Sequence, residues 1–435
     1  MTPRLRRPAM IEDHPLRAAL VEELHARPFP LISVPSEVVY LALKEPRDAA
    51  NRDRGRDIAH LAELCAPWGV MPPAEATHFA ATLGAHELTW ESHTEFVTCF
   101  SRRVGLAAEP FDPVEAAIFP EDWIARAPGR RLAAVQMRIE HLPGDPHRVP
   151  ALVEDWFDSE TLVCGWVMDQ AALIATDFRI DPNGQMRFAV FVAPGTGPAR
   201  VGRLVQRLCE METYRALSML GLGQARGLTK RLNALDPELS ALVAELGSDD
   251  APAEETLPRL LAISGGLEGL AVSYSFRFGA TQAYAALVHE RLEALRETRF
   301  EARQRVTEFM QRRYEPAMRT VLSAEARLTA MVERSSRAAE LLRTRVEVTR
   351  AEQNQHVLES MNRRAALQLR LQNTVEGLSV VAISYYAVSL AGYLASPLAA
   401  KLGLGKELAV GLLTPAVVAG VWLMVRRIRR RAEAA

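Results

Sequence analysis

The hydrophobic pattern of this chain is strongest near its C-terminal end, where two long apolar stretches contain no charged side chain. The first runs from Gly377 to Ala400 and the second from Leu408 to Val425. Each stretch reaches the roughly 17 to 25 residues that an α-helix needs to cross the hydrocarbon core of a bilayer. The pattern predicts a transmembrane hairpin with spans at about 377–396 and 408–425. The alternative is a buried helical hairpin of a soluble protein.

The placement of arginine predicts how this hairpin is oriented. Arginines precede the first span and follow the second, at Arg363, Arg364, Arg370, Arg426, Arg427, Arg429, Arg430 and Arg431. The short connection carries Lys401 and Lys406 beside Glu407. Because Lys and Arg are enriched in cytoplasmic flanks, we expect a multi-pass protein of the cell inner membrane with both termini in the cytoplasm. The arginines after the second span are predicted to contact anionic lipid headgroups.

The region before the first span has a long helical pattern. It begins at about Thr281, has one interruption, at Pro316, and would measure about 115 Å from Ala317 through Leu394 if continuous. Most of its apolar positions lie three, four or seven residues apart, and they are Leu328, Met331, Ala338, Leu342, Val346, Val357, Met361 and Leu367. Polar residues intrude on this stripe at Ser335, Thr349, Gln353, His356 and Ser360. Such a narrow stripe packs on similar helices, within or between chains.

Two features of the helices favour a homo-oligomer. The stalk stripe predicts a coiled coil that continues directly into the first span. In the second span, Gly411, Pro415 and Ala419 lie four residues apart, and small residues at that spacing let membrane helices approach closely. The alternative for the stalk is that it packs against the N-terminal part of its own chain.

The N-terminal part alternates between helical and strand patterns. Short helices are predicted over Asp13 to His25 and Arg47 to Cys65, and a strand over Val38 to Lys44. Residues Thr77 to Arg102 predict a hairpin or meander that turns at Gly84. Further strands are predicted at Arg131 to Leu142, Thr161 to Asp169, Ala171 to Asp181 and Gln185 to Val192, with a turn at Asp181 to Gly184. Consecutive hairpins predict an α+β domain with a largely antiparallel sheet.

These patterns divide the chain into four regions. We expect an α+β cytoplasmic domain over 1–200 and a helical region over 201–280 that contains an acidic loop near 247–257. Long stalk helices follow over 281–375, and a transmembrane hairpin with a basic tail occupies 376–431.

Composition and charge narrow the class of protein. The net charge of the 435 residues is -1, and acidic residues are interspersed with the arginines, so nucleic-acid binding is not expected. The cysteines, Cys65, Cys99, Cys164 and Cys209, are far apart, which predicts buried thiols rather than a zinc or dithiol site. No apolar run follows the N-terminal cations, so a signal peptide is not predicted.

Candidate chemistry is concentrated in one predicted strand region. Alternate residues of a strand share a face, so Glu91, His93 and Glu95 form a candidate metal site, with a solvated sheet face as the alternative. His25 and Arg27 could bind an anion, or could simply end a helix. No catalytic residue and no cofactor site is predicted. We therefore expect a non-enzymatic, membrane-tethered structural or interaction protein whose protein partner is unknown.

Several segments together resemble a known family. They are HPLRAALVEELHARPFP, WESHTEF, TDFRID, RFGATQAYAALVHERL, EPAMRT, LLRTRVEV and QNQHVLESMNRRAALQLRLQNTVEGLSVVAISYYAVSLAGYL. They resemble a chiefly proteobacterial family of predicted membrane-anchored proteins, known as domain of unknown function 3422. The resemblance spans nearly the whole chain. It implies a membrane anchor on a single unit, and no activity.

The predicted architecture is also similar to that of CorA-type divalent-cation channels. Those channels carry a Gly-Met-Asn triplet at the outer end of the first span, whereas the corresponding segment here is GYLASPLAAKLGLG. In a channel, Asn373 and Glu376 would form rings at the cytoplasmic mouth of the pore. The alternative function is thus a CorA-like divalent metal-ion transporter that lacks the usual selectivity motif.

Overall fold

The computed structural model describes residues 13–18, 20–21, 29–47, 49–113, 118–246, 253–401 and 405–432. Contacts divide the chain into two compact units. The first unit comprises Met1–Asp249 and Pro258–Ala338, and the second comprises Asp250–Leu257 and Ala339–Ala435.

The first unit is built on a sheet that has nine strands among the described residues. They are β1 (Ser36–Lys44), β2 (His78–Leu83), β3 (His86–Ser92), β4 (Phe96–Val104), β5 (Arg130–His141), β6 (Val163–Val167), β7 (Ala172–Thr176), β8 (Met186–Val192) and β9 (Thr298–Arg299). Their order is β2-β3-β4-β1-β5-β8-β7-β6-β9. Neighbouring strands are antiparallel except β5 and β8, which are parallel. The predicted α+β fold with a largely antiparallel sheet is confirmed.

The helices fall into a short group and a long group. The short ones are α1 (Arg54–Cys65), α2 (Glu121–Ala125), α3 (Val149–Val153) and α6 (Val306–Arg313). The long ones are α4 (Pro198–Glu245), α5 (Ala253–Leu295), α7 (Glu315–Lys401) and α8 (Lys406–Ala432). Three-residue 3-10 helices lie at Ala49–Asn51, Ala66–Trp68 and Pro146–Arg148.

One face of the β2–β3–β4–β1 part of the sheet carries a hydrophobic core. Alternate residues of β1, such as Leu41, pack with Leu61 of α1 and with Trp123 of α2. Helix α1 starts where the Asp53 side chain accepts a hydrogen bond from the Gly55 N–H at 2.9 Å, which satisfies an otherwise unpaired donor at the helix start. The predicted helix from Arg47 therefore begins only at Arg54.

A second core lies under β6, β7 and β8. Phe191 of β8 and Leu173 of β7 pack there with Val149 and Val153 of α3 and with Phe300. Because the strands alternate inward and outward residues, this core and the first one follow from the period of two in the sequence.

Helix α4 covers the opposite face of the sheet. The hydroxyl groups of Tyr40 in β1 and Thr213 in α4 share a hydrogen bond of 2.8 Å. At Gly202 the backbone of α4 approaches the backbone of Pro30 so closely that a Cβ atom on residue 202 would lie 1.6 Å from the Pro30 carbonyl oxygen. Glycine is the residue that permits this approach.

The expected helix from Thr281, interrupted only at Pro316, is wrong. Helix α5 ends at Leu295, and strand β9 and helix α6 precede α7. The Glu297 carboxylate explains the break, because it accepts hydrogen bonds from the N–H groups of Val306 at 2.7 Å and Thr307 at 2.9 Å and so fixes the start of α6. Pro316 lies in the first turn of α7, where a missing N–H costs little.

The apolar stripe of α7 is buried in its first part. Leu328 and Ala338 are buried in the first unit, and there the Ser335 hydroxyl donates to the Ser264 hydroxyl of α5 at 3.3 Å. Arg327 donates to Asn233 of α4 at 2.6 Å. Packing within the chain, one of the two expected arrangements, thus accounts for this part of the stripe.

Some predicted features lie outside the described residues. The end of the first predicted helix, with His25 and Arg27, falls in 22–28, and most of the expected acidic loop falls in 247–252. Residues 253–257 of that loop are instead the first turn of α5.

Candidate functional site

A cavity of about 530 Å³ lies in the first unit, between strands β1 to β4 and the N-terminal half of α4. It is on the face of the sheet opposite the α1 core. No sequence pattern predicted it, because a sheet wall and a helix wall from distant parts of the chain must meet to form it.

Strand alternation supplies the sheet wall of the cavity. His78 of β2, Glu91 of β3 and Phe100 of β4 line the cavity. Leu88 and Trp90, which alternate with the cavity-lining residues of β3, point into the core on the other face of the sheet. The cavity side also carries a cross-strand ion pair between Glu87 and Arg102, residues that lie opposite each other in β3 and β4. The sheet wall is therefore partly aromatic and partly charged.

Helix α4 supplies the other wall through residues three or four apart. Gln206, Glu210 and Thr213 face the cavity along one side of the helix, with Cys209 and Tyr214 beside them. Burial raises the pKa of Cys209 well above that of a free thiol, so this cysteine is a neutral wall group rather than a nucleophile.

Hydrogen bonds fix the polar groups of the helix wall. The Gln206 amide donates to the Glu210 carboxylate at 2.9 Å, and the Arg291 guanidinium of α5 donates to the same carboxylate at 2.5 Å. The carbonyl oxygen of Gln206 is buried and has no hydrogen-bond partner in the described part of the chain. A residue that lines the cavity therefore holds one buried acceptor that lacks a hydrogen-bond partner among the described residues.

The structure does not place Glu91, His93 and Glu95 on one strand face as expected. Strand β3 ends at Ser92, and the His93 N–H donates to the Phe96 carbonyl at 2.9 Å across the turn. His93 Nε2 lies 3.5 Å from Glu91 Oε2, but Glu95 points to other partners. The described residues contain no group of three or more His, Cys, Asp or Glu side chains that could hold a metal ion.

Glu95 is instead the centre of a buried charge cluster. Its Oε2 atom accepts from Lys44 Nζ and from Arg277 Nη2, both at 2.7 Å, and its Oε1 atom accepts from the Tyr284 hydroxyl at 3.2 Å. Burial alone would raise the pKa of Glu95, but the hydrogen bonds from the two cations lower it. Burial lowers the pKa of Lys44. The cluster joins β1, the β3–β4 turn and α5.

Aromatic contacts connect this cluster with the cavity. Phe96 stacks on His93 with a centroid distance of 4.3 Å, and Tyr284 stacks on Tyr214 at 5.8 Å. Phe96, His93 and Tyr214 all line the cavity. The charge cluster therefore supports the cavity walls through these rings, whereas the Glu95 carboxylate itself does not line the cavity.

The second unit carries the predicted spans. Two helical stretches, Val306–Leu398 and Glu407–Ile428, are long and apolar enough to cross a membrane by length and composition. The first stretch begins in the first unit, and its apolar part is the C-terminal end of α7, whereas the second lies in α8. The helices approach closely at Gly392, where a Cβ atom would lie 3.1 Å from Val410 Cγ2. Many large apolar side chains of this hairpin are exposed, among them Leu390 and Trp422.

The other sequence candidates lie on these helices. Asn373 is exposed and Glu376 is half-buried on α7. Gly411, Pro415 and Ala419 lie on the exposed side of α8. Arg426, the first of the arginines after the second span, places its guanidinium over the Trp422 ring, 5.0 Å from the centroid. Arg427, Arg429, Arg430 and Arg431 follow within the same helix.

Comparison with known proteins identifies a family. No curated protein matches the chain, so the CorA-type alternative gains no support from a relative. A family model described as "Protein of unknown function (DUF3422)" matches residues 12–432. Because this match covers nearly the whole sequence, the chain belongs to the DUF3422 family.

Proposed function

We propose that this protein is a membrane-anchored structural or interaction protein without enzymatic activity. The last part of α7 and helix α8 span the inner membrane, both termini face the cytoplasm, and copies of the chain associate through the stalk and the spans.

The observation that carries this proposal is the exposed apolar surface of the hairpin. Leu378, Tyr393, Leu394 and Leu412 are each more than 70% exposed. Soluble proteins rarely expose contiguous apolar patches larger than a few hundred Å². A lipid environment removes this cost, because the bilayer core is itself apolar.

Charge and aromatic placement support the orientation. The arginines flank the spans on the side of the two termini, as the positive-inside rule requires of cytoplasmic segments. The contact between Arg426 and Trp422 also suits the membrane interface, where an aromatic ring and a cation next to the headgroups anchor a span.

Two exposed stripes support self-association. On α7, Val357 and Met361 keep the four-residue step of a coiled coil, Leu367 follows, and all three are more than half exposed. On α8, the small residues Gly411 and Ala419 lie on the side that does not face α7. A second copy of the chain can cover both stripes.

Membrane extraction tests the anchor. The full-length protein should stay in the membrane pellet after a carbonate wash. Leu390→Arg combined with Val418→Arg should release it, because an arginine near the centre of a span costs about 2.5–3.5 kcal/mol in insertion. Leu358→Arg, on the stalk, is the matched control and should remain in the pellet. Full release of the wild type by carbonate would contradict the anchor, and an active C-terminal alkaline phosphatase fusion would contradict the orientation.

Light scattering of the detergent-solubilised protein tests self-association. The wild type should exceed the monomer mass, and Val357→Asp with Met361→Asp should lower that mass by placing charges in the stripe. Gln355→Glu, on the other side of the helix, should leave it unchanged. A monomeric wild type at micromolar concentration would refute association.

A further inference from the structure

We propose that the cavity between strands β1 to β4 and helix α4 binds a small organic cation, an ammonium group attached to an apolar or aromatic body. This inference concerns the first unit alone and does not depend on the membrane anchor.

The cavity has the size and construction of a ligand site. Its volume of about 530 Å³ lies within the roughly 300–1,000 Å³ of typical small-molecule pockets. Its walls are fixed, since Tyr40, Thr98, Cys209 and Thr213 are all buried and the Tyr40–Thr213 hydrogen bond joins sheet to helix. A ligand would therefore enter a space whose backbone walls are already in place.

The charges of the walls favour a cation. Among the described residues, the lining contains the carboxylates of Glu87, Glu91 and Glu210, one arginine, Arg102, and the imidazole rings of His78 and His93. Each of these carboxylates has a basic neighbour, since Arg102 pairs with Glu87, Arg291 pairs with Glu210, and the His93 ring lies beside Glu91. A carboxylate can accept several hydrogen bonds, so all three can accept further N–H groups from a ligand. A carboxylate or phosphate ligand would bring a further anion beside these three carboxylates in a partly desolvated site, which is unfavourable.

Aromatic rings add the second element of cation recognition. Tyr40, Phe96, Phe100 and Tyr214 line the same cavity. The faces of such rings attract ammonium groups by about 0.5–2 kcal/mol and also bury an apolar body. This combination favours an organic cation over a hydrated metal ion, which prefers a cage of oxygen ligands.

The unpaired carbonyl oxygen of Gln206 points to the same chemistry. Its amide nitrogen is committed to Glu210, so the oxygen cannot be exchanged for the nitrogen without losing that hydrogen bond. A ligand N–H group brought to the helix wall, with a small side-chain adjustment, would satisfy this acceptor. A ligand that offers only acceptors would leave it unsatisfied.

Three probes of one shape separate charge from size. Tryptamine is the cation, tryptophol the neutral isostere, and indole-3-acetate the anion. Each is titrated calorimetrically into full-length protein in nanodiscs, and the heat from empty nanodiscs is subtracted to remove partitioning into lipid. We expect saturable binding of tryptamine, roughly tenfold weaker binding of tryptophol, equivalent to about 1.4 kcal/mol, and no saturable binding of indole-3-acetate.

Variants locate the binding. Glu91→Gln should reduce the preference for tryptamine over tryptophol, because it removes charge only. Phe100→Leu should weaken both probes, because it removes an aromatic wall. Glu63→Gln, an exposed carboxylate on α1 on the other side of the sheet, is the control and should change neither. Each variant is checked for an unchanged thermal unfolding midpoint.

The proposal is overturned by any of three results. They are no saturable binding of tryptamine, binding of indole-3-acetate as tight as that of tryptamine, and binding of tryptamine and tryptophol that is unchanged in both folded Glu91→Gln and folded Phe100→Leu. If neither variant folds, the comparison of the three probes on the wild type still decides.

Discussion

Replacing Glu95 with glutamine would remove the charge from a carboxylate that is only 3% exposed and that holds two cations. Glutamine has nearly the same volume, so the packing around Phe96 and Tyr284 would change little. The change would be electrostatic: Lys44, which is 7% exposed, and Arg277 would lose the group that compensates their charge.

The expected cost is about 3 kcal/mol at pH 7. Removing one member of a buried ion pair costs about 3–5 kcal/mol, because the remaining charge stays desolvated. We expect a cost at the lower end of this range because Lys44 can lose the charge that the substitution leaves uncompensated. Burial already lowers its pKa, and a lysine without its partner can lose its proton and become neutral.

This relief makes the loss depend on pH. In the variant, the pKa of Lys44 in the folded state falls further below its usual value of 10.5, while the unfolded state keeps the usual value. Between these two pKa values the unfolded state binds more protons, so the stability of the variant rises with pH. The gap between wild type and Glu95→Gln should therefore narrow from pH 7 to pH 9.

Urea unfolding of the detergent-solubilised full chain, followed by tryptophan fluorescence, measures both effects. Trp90 and Trp123 are buried in the first unit and report its unfolding. Asp122→Asn, which breaks an exposed pair with Arg126, is the control and should leave the midpoint unchanged. A loss below about 1 kcal/mol at pH 7, or a gap that stays constant to pH 9, would refute the role of Glu95 as the group that balances this cluster.

Other predictions concern packing, protonation and thiol reactivity. Gly202→Ala should destabilise the protein by about 2 kcal/mol, since its Cβ atom would meet a carbonyl oxygen at 1.6 Å. Gly223→Ala, in open space on the same helix, should be neutral or stabilising, and equal urea midpoints for the two variants would contradict this. Burial lowers the pKa of His60 from 6.5, so stability should fall as the pH drops below that value, and less steeply in His60→Gln. Burial raises the pKa of Cys164 to about 12, so iodoacetamide at pH 8 should modify it only after unfolding, as mass spectrometry would show.

The strands could be predicted from the sequence because their alternation is local. The predicted strand from Val38 to Lys44 lies within β1, and the meander with a turn at Gly84 is β2, β3 and β4. Gly84 has a φ of 63°, a conformation that favours glycine. Local pattern and tertiary fold agree there, so nothing overrides the pattern.

The candidate site could be predicted only in part. The sequence marked Glu91 and His93, which line the cavity, as chemically notable, but it could not identify the helix wall, because Gln206 and Glu210 are more than a hundred residues away. The prediction that Glu95 shares a strand face with Glu91 and His93 is wrong for a similar reason. In the sequence, the alternating pattern of the strand continues past its true end to Glu95. The partner that draws the Glu95 side chain away, Arg277, is 182 residues distant and cannot be identified from the sequence.

The apolar stripe of α7 shows how one spacing can serve two purposes. Ser335 intrudes on the stripe, yet it is fully buried, its hydroxyl lies 2.9 Å from the Val332 carbonyl oxygen, and it lies 3.3 Å from the Ser264 hydroxyl. It is thus a satisfied part of an intrachain core. Farther along the helix, Val357 and Met361 repeat the same spacing but are exposed. Because exposed apolar side chains at heptad spacing gain stability only when another helix covers them, the self-association that we propose needs only the second part of the stripe. Substitutions before Val346 should therefore change the stability of a single chain, whereas those after it should change how many chains associate.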